Sequence, residues 1–183
     1  MKESLEQREK PEVLYISTQT RGIKELIPRS GRHRGGDEGA VIFSTPDKAL
    51  ASTFLVEGHD DSWMQVGYSN DVLYAVICMD KEKFMKRDGG GVMYQVHSDT
   101  FDYNPNLGMG DKEWTSREPV KPISETFYPS ALDMMIETGV NVYFVDKKTF
   151  NLIKEDDDRG FEILLSLVSE NQNRGKVINP LSR

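Results

Sequence analysis

Short apolar runs separated by polar and glycine-rich stretches dominate the hydrophobicity pattern, and they predict a domain with several β-strands. The runs are rich in β-branched and aromatic residues and are bounded by loop-forming residues, which is typical of strands. Residues 72–79 are apolar at almost every position, so this strand is expected to lie centrally in a sheet, with a tight turn at 69–71 before it. The predicted strands cover residues 13–16, 39–43, 63–68, 72–79, 91–97, 112–115 and 140–145.

Helix signals stand between several of these strands. Residues 44–47 combine a hydroxyl cap, a proline and an acid, which indicates a helix start, and we expect that helix to end at 58–61. A second helix is expected to start at 129–130 and to end at Gly139. Further short helices, or a turn in the first case, are expected at 81–87, 147–154 and 161–168. Strands mostly follow one another with few helices between them, so the pattern predicts an α+β fold.

The length of 183 residues is that of one ordinary domain. We expect a flexible lead-in over residues 1–10, a single α+β domain over residues 11–170 and a loose C-terminal tail over residues 171–183. The composition is 37% hydrophobic and 9% aromatic, which excludes wholesale disorder because such a chain can bury a substantial core.

The formal net charge of −7 argues against binding of nucleic acid over the whole surface, because the averaged field repels phosphate. A local basic patch could override this, and the loop at 29–39 contains Arg29 and Arg32. Its guanidinium groups could hold a phosphate or pyrophosphate, or the loop could simply be solvated. A nucleic-acid-binding module is the least favoured function, since no stripe of alternating basic and aromatic residues occurs.

Cys78 is the only cysteine, which excludes a disulfide framework and an all-cysteine zinc site. It lies within an apolar run, where burial would raise the pKa of the thiol and keep it inert. The first ten residues lack the apolar core of a signal peptide, and no stretch approaches the roughly 18 apolar residues of a membrane span. We therefore expect a cytoplasmic protein that has no membrane partner.

Few residues carry a recognisable chemical signal. The three histidines are not spaced as metal ligands, so no metal site is expected, and the glycines at 31–36 and 89–91 predict turns and not phosphate-binding loops. Glu113 differs from the other acidic residues because it opens a predicted strand, directly before Trp114 and after a glycine-rich loop. A carboxylate there could be held rigidly at the edge of a cleft, or it could be an ordinary exposed strand residue.

Five segments stand in a distinctive order: VLYIST at 13–18, IKELIPR at 23–29, AVIFSTPD at 40–47, KEWT at 112–115 and VKP at 120–122. Together they resemble small proteins of the ADP-ribosyltransferase-like fold. In that superfamily the first strand typically ends in Tyr-His-Gly or Arg-Gly, a second strand ends in an aromatic or Ser-Thr-Ser element, and a late strand carries a glutamate. The resemblance implies a single α+β domain with a split, mainly antiparallel β-core flanked by a few helices.

The resemblance also implies an NAD-utilising ADP-ribosyltransferase or NAD glycohydrolase that needs no metal. Glu113 would be the catalytic carboxylate, which stabilises the oxocarbenium-like cation formed when the nicotinamide–ribose bond breaks. Cofactor-binding residues would lie at the nicotinamide, along the cleft and near the pyrophosphate; they are Tyr15, Ser17, Thr18, Arg29, Arg32, Phe43, Ser44 and Thr45. A protein or a nucleic acid would be the acceptor.

One position departs from the family pattern. Ile16 stands where the histidine of the family hydrogen-bonds the adenosine ribose, and Ser17 replaces the usual glycine. Loss of such a polar contact costs about 1–3 kcal/mol, which would weaken NAD binding by about tenfold to a hundredfold. Two hypotheses therefore stay open: an NAD-utilising enzyme with Glu113 or the neighbouring Glu118 as its carboxylate, or a catalytically degenerate member of the fold that acts as a binding or interaction module.

Overall fold

The computed structural model describes residues 9–30, 39–56, 63–69, 71–103, 112–156, 162–163 and 177–178. Within these ranges the fold is α+β with mostly antiparallel strand pairs and four helices, which confirms the predicted class. Residues 1–8 of the predicted lead-in, most of the predicted helix at 161–168 and Arg32 lie outside the described residues.

Eleven strands and four helices are assigned in the described residues. The strands are β1 Val13–Thr18, β2 Arg29–Ser30, β3 Ala40–Ser44, β4 Met64–Ser69, β5 Val72–Ile77, β6 Gly91–His97, β7 Phe101–Tyr103, β8 Trp114–Ser116, β9 Ser124–Tyr128, β10 Asn141–Phe144 and β11 Val177–Ile178. The helices are α1 Lys48–Thr53, α2 Lys81–Arg87, α3 Ala131–Glu137 and α4 Lys147–Glu155.

The contacts within the chain group it into two compact units. The first unit comprises Met1–Ile16, Ile23–Asp47 and Tyr94–Glu125, and the second comprises Ser17–Gly22, Lys48–Met93 and Thr126–Arg183. A three-stranded sheet has the order β1-β6-β9. The domain boundaries expected from the sequence stay predictions.

A four-stranded sheet of the order β2-β3-β8-β7 belongs to the first unit, and its neighbouring strands are antiparallel. The core of this unit joins side chains from the sheet to those of neighbouring segments. Its buried members are Leu14, Ile42, Val96, Phe101, Trp114 and Val120. The ring of Trp114 lies 5.7 Å from that of Tyr103, so the start of β8 is anchored by a large apolar side chain.

The second unit contains a four-stranded sheet of the order β11-β10-β5-β4. Strand β5 pairs with β4 in antiparallel fashion and with β10 in parallel fashion, which confirms its predicted central place. Asp71, in the predicted tight turn, has a φ of 60°. Strand β11 lies within the stretch predicted as a loose tail, and it pairs with β10 in parallel fashion.

Several boundaries differ from the sequence predictions for identifiable reasons. Helix α1 ends at Thr53, before the predicted exit at 58–61, and the strand predicted at 112–115 runs instead from Trp114 to Ser116. Strand β9 was not predicted, because four of its five residues are exposed and no buried apolar alternation marks it. Strand β7 covers three residues for which the sequence predicted no strand.

Side-chain caps start three of the helices. The Asp80 carboxylate accepts hydrogen bonds from two backbone N–H groups of α2, and Ser130 Oγ accepts one from Asp133 in α3. Asp146 accepts from the backbone N–H of Thr149 at 2.7 Å, and this hydrogen bond lowers the pKa of its carboxyl. Each cap satisfies a backbone donor that has no partner within the helix.

The carboxylate of Asp88 links the end of α2 to the start of α3. Its Oδ1 accepts from the backbone N–H groups of Gly90 at 3.0 Å and Ala131 at 2.7 Å. Its Oδ2 accepts from Ser130 Oγ at 2.7 Å and from the backbone N–H of Leu132 at 3.1 Å. These four hydrogen bonds, which we call the Asp88 cap, join two helices that are far apart in the sequence.

We expect Asp88→Ala to lower the free energy of unfolding by about 2–4 kcal/mol, because four donors lose a charged acceptor. Urea unfolding followed by circular dichroism measures the change. Asp133→Ala removes the same charge from an exposed side chain in the first turn of α3 and is expected to cost less than about 1 kcal/mol. Equal losses in the two variants would contradict the assigned role of the cap.

The glycine turn after α2 has a position that tolerates no side chain. Gly90 has a φ of 63°, and a Cβ there would collide with backbone atoms of Tyr128 and Pro129. A Cβ on Gly89 would meet no atom within 4 Å. We therefore expect Gly90→Ala to lower the free energy of unfolding by about 1–3 kcal/mol.

Gly89→Ala is the matched control, and its unfolding free energy should stay within about 0.5 kcal/mol of the wild-type value. The same urea titration compares the two variants. If both alanine substitutions are tolerated equally, the left-handed turn at Gly90 is not a constraint on folding.

Candidate functional site

Strand pairing in the first unit brings several of the predicted site residues together. Tyr15 and Thr45 form an antiparallel bridge in which each backbone N–H donates to the other's carbonyl, at 2.8 and 3.1 Å. Ser44 pairs with Trp114 across β3 and β8. This is the last pair between the two strands, and Glu113 and Thr45 are the residues next to it along the chain.

The hydroxyl groups of Ser44 and Thr45 make hydrogen bonds to the backbone within the fold. Both residues are buried, with exposures of 3% and 0%. Ser44 Oγ donates to the carbonyl of Trp114 at 3.3 Å, and Thr45 Oγ1 accepts from the backbone N–H of Asp47 at 3.1 Å. These contacts give both hydroxyls a structural role where the resemblance implies cofactor contacts.

Glu113 is half-buried and directly precedes the buried Trp114, whose side chain belongs to the core of the first unit. Glu118 is exposed and lies just after β8, where its backbone N–H donates to Ser116 Oγ at 3.1 Å. Of the two carboxylates considered from the sequence, Glu113 is the one that sits partly out of solvent beside a rigid strand. A carboxylate in such a position loses less orientation entropy when it acts on a substrate.

Two other predicted residues in the first unit lie on its sheet. Arg29 is exposed in the edge strand β2, opposite Val41. Phe43 is half-buried in β3, opposite Thr115. The side chain of Ile16 packs against the core cluster of this unit, so it fills an apolar position.

Ser17 and Thr18 belong to the second unit. Thr18 Oγ1 accepts from the backbone N–H of Thr20 at 3.3 Å. The Oγ atom of Ser17 is buried and has no hydrogen-bond partner among the described residues. A buried hydroxyl without a partner is uncommon, since it keeps the cost of leaving water without a compensating bond.

The groups considered for metal or thiol chemistry are dispersed. His33 and His59 lie outside the described residues, and His97 is exposed at the end of β6. No group of three or more potential metal ligands occurs in the part of the chain that the structure describes. Cys78 packs against the core of the second unit, and burial raises the pKa of its thiol, as the sequence predicted.

A pocket of about 300 Å³ lies within the second unit, and the sequence did not indicate it. Its apolar lining comes from five separate segments of the chain, and comprises Leu55, Val56, Trp63, Met79, Phe84 and Ala131. Gln19, Arg87 and Asp88 supply its polar lining, and Gly89 and Gly90 complete one wall. These segments are distant in sequence, so no local motif could have marked the pocket.

Comparison with known proteins adds no relative. No protein-family model matches the chain. No curated protein and no solved structure matches it either. In the described residues, no helix is long and apolar enough to cross a membrane.

The hydroxyl of Ser17, which has no hydrogen-bond partner among the described residues, leads to a stability prediction with an internal control. Ser17→Ala removes a buried polar atom that makes no bond to the described protein, so we expect the free energy of unfolding to stay unchanged or to rise by up to about 1 kcal/mol. Ser52 is fully buried, and its Oγ donates to the carbonyl of Ala49 at 2.7 Å. Ser52→Ala should therefore lower the unfolding free energy by about 1–2 kcal/mol.

Thermal and urea unfolding of the two serine variants measure this difference directly. A loss for Ser17→Ala as large as that for Ser52→Ala would show that the Ser17 hydroxyl has a partner in the folded protein.

Proposed function

We propose that this protein binds NAD and breaks its nicotinamide–ribose bond, as an ADP-ribosyltransferase or NAD glycohydrolase. The proposal rests chiefly on Glu113, a half-buried carboxylate directly before β8. The bridge between Tyr15 and Thr45 supports it because it pairs two of the residues that the family resemblance singles out, and the Ser44–Trp114 pair leaves Glu113 next along the chain.

The proposed chemistry requires little more than one well-placed carboxylate. When the bond between nicotinamide nitrogen and ribose C1′ breaks, the electron pair leaves with nicotinamide and positive charge develops on the ribose. A fixed carboxylate stabilises that charge more in the transition state than in the ground state, which lowers the barrier. The acceptor nucleophile, water or a group on a protein or nucleic acid, then bonds to C1′ and loses its proton.

A second candidate function is a binding or interaction module of the same fold without turnover. Ile16 favours it, because its side chain packs into the core of the first unit and offers no hydrogen bond to a ribose. The engaged hydroxyls of Ser44 and Thr45 favour it as well, since a cofactor would have to displace their present contacts.

Nicotinamide release from NAD separates the two candidates. We expect the wild-type protein to release nicotinamide from millimolar NAD, and Glu113→Gln to lower the rate by about a hundredfold or more, because the amide carries no charge to stabilise the cation. Chromatography of the reaction mixture measures release, and calorimetry in the same samples measures NAD binding.

Glu118→Gln is the matched control, since it makes the same change at an exposed carboxylate five positions along the chain. Its rate should equal that of the wild type. NAD binding without nicotinamide release would favour the binding module. Absence of NAD binding at millimolar concentration would overturn both the transferase and the glycohydrolase.

A further inference from the structure

The pocket in the second unit has two aromatic walls that are held in different ways. Phe84 is buried, and its ring contacts that of Phe144 edge-on with the ring centroids 5.5 Å apart. This contact holds the Phe84 ring in place in the pocket lining. Trp63 is half-buried, and its carbonyl accepts a hydrogen bond from the backbone N–H of Cys78 at 2.8 Å. Trp63 thus adds a partly exposed aromatic side chain to the lining, and aromatic rings stack favourably on planar ligands.

The acidic residue in the lining is not available to a ligand. A carboxylate offers about four lone-pair positions to donors, and the Asp88 cap fills them with Gly90, Ser130, Ala131 and Leu132. Its negative charge is thereby compensated by backbone and hydroxyl dipoles. Asp88 thus shapes the pocket and does not accept from a bound molecule.

The remaining polar groups of the lining favour a ligand that accepts hydrogen bonds. Arg87, the last residue of α2, carries a guanidinium that only donates and is always charged. Gln19 adds a carboxamide that can donate or accept. An anionic group beside Arg87 would gain charge-assisted hydrogen bonds, whereas a cationic group would be repelled.

The volume limits the size of the ligand. A pocket of about 300 Å³ equals the liquid volume of roughly ten water molecules, which is near the lower end of small-molecule sites. One or two fused aromatic rings that carry an anionic group fit that space.

We propose that this pocket binds a small aromatic anion, with its ring against Trp63 and Phe84 and its charged group at Arg87. Among the described residues, none of those assigned to NAD lines the pocket, so this proposal does not rest on the NAD-based function above. An aromatic carboxylate and a nucleoside monophosphate are two sources of the same ligand chemistry.

Titration with 1-naphthoate, its neutral counterpart 1-naphthamide and AMP tests the proposal on the full chain. The protein has two tryptophans, Trp63 in this pocket and Trp114 in the core of the first unit, so its indole N–H resonances report binding at each place separately. We expect 1-naphthoate or AMP to shift the Trp63 resonance while that of Trp114 stays in place. Trp63→Leu assigns the resonance and should weaken binding by about three- to tenfold.

Arg87→Gln and Lys86→Gln form the matched pair for the charge. Both residues are basic, exposed and in the last turn of α2, but only Arg87 lines the pocket. Arg87→Gln should weaken binding of the anion by about tenfold or more, and Lys86→Gln by less than about twofold. Calorimetry gives the dissociation constants, and circular dichroism checks that each variant is folded.

Binding of 1-naphthoate alone would identify an aromatic acid as the source of the ligand chemistry, and binding of AMP alone would identify a nucleotide. Three results would overturn the proposal: no binding of either anion at millimolar concentration, equal affinity for 1-naphthamide and 1-naphthoate, or a shift of Trp114 without one of Trp63.

Discussion

Within the second unit, the connection between α2 and α3 depends on one interaction, the Asp88 cap. Its carboxylate accepts from the glycine turn and from the start of α3, so one side chain ends α2, shapes the turn and begins the next helix. Backbone donors at a helix start must find acceptors, and here a residue 42 positions before Ser130 supplies them. The turn can bring these groups together because Gly90 has a positive φ and lies close to the backbone of Tyr128 and Pro129.

The Asp88 cap also determines which chemical groups the pocket presents to a ligand. Arg87, Gly89 and Ala131 line it because they flank the cap, while the cap itself uses up the acceptor capacity of Asp88. The lining still offers a ligand the Arg87 cation, the Gln19 carboxamide and aromatic side chains. Structural and binding roles are thus divided between adjacent residues, Asp88 and Arg87.

In the first unit, the strand register determines which polar groups are used within the fold. It pairs Tyr15 with Thr45 and Ser44 with Trp114, the residue after Glu113, while the hydroxyls of Ser44 and Thr45 make hydrogen bonds within the fold. The half-buried carboxylate of Glu113 supports the proposed NAD chemistry. The core position of Ile16 supports the alternative without turnover.

The sequence by itself determined the α+β class, the central strand β5 and the helix starts, because apolar runs and capping residues act over a few neighbouring positions. It did not reveal the exposed strand β9, the pocket or the partners of Ser44 and Asp88, since each depends on segments that meet only after folding. The local sequence pattern indicates which residues prefer to be buried or to start a helix. Only tertiary structure decides which polar groups find partners, and therefore which remain for chemistry.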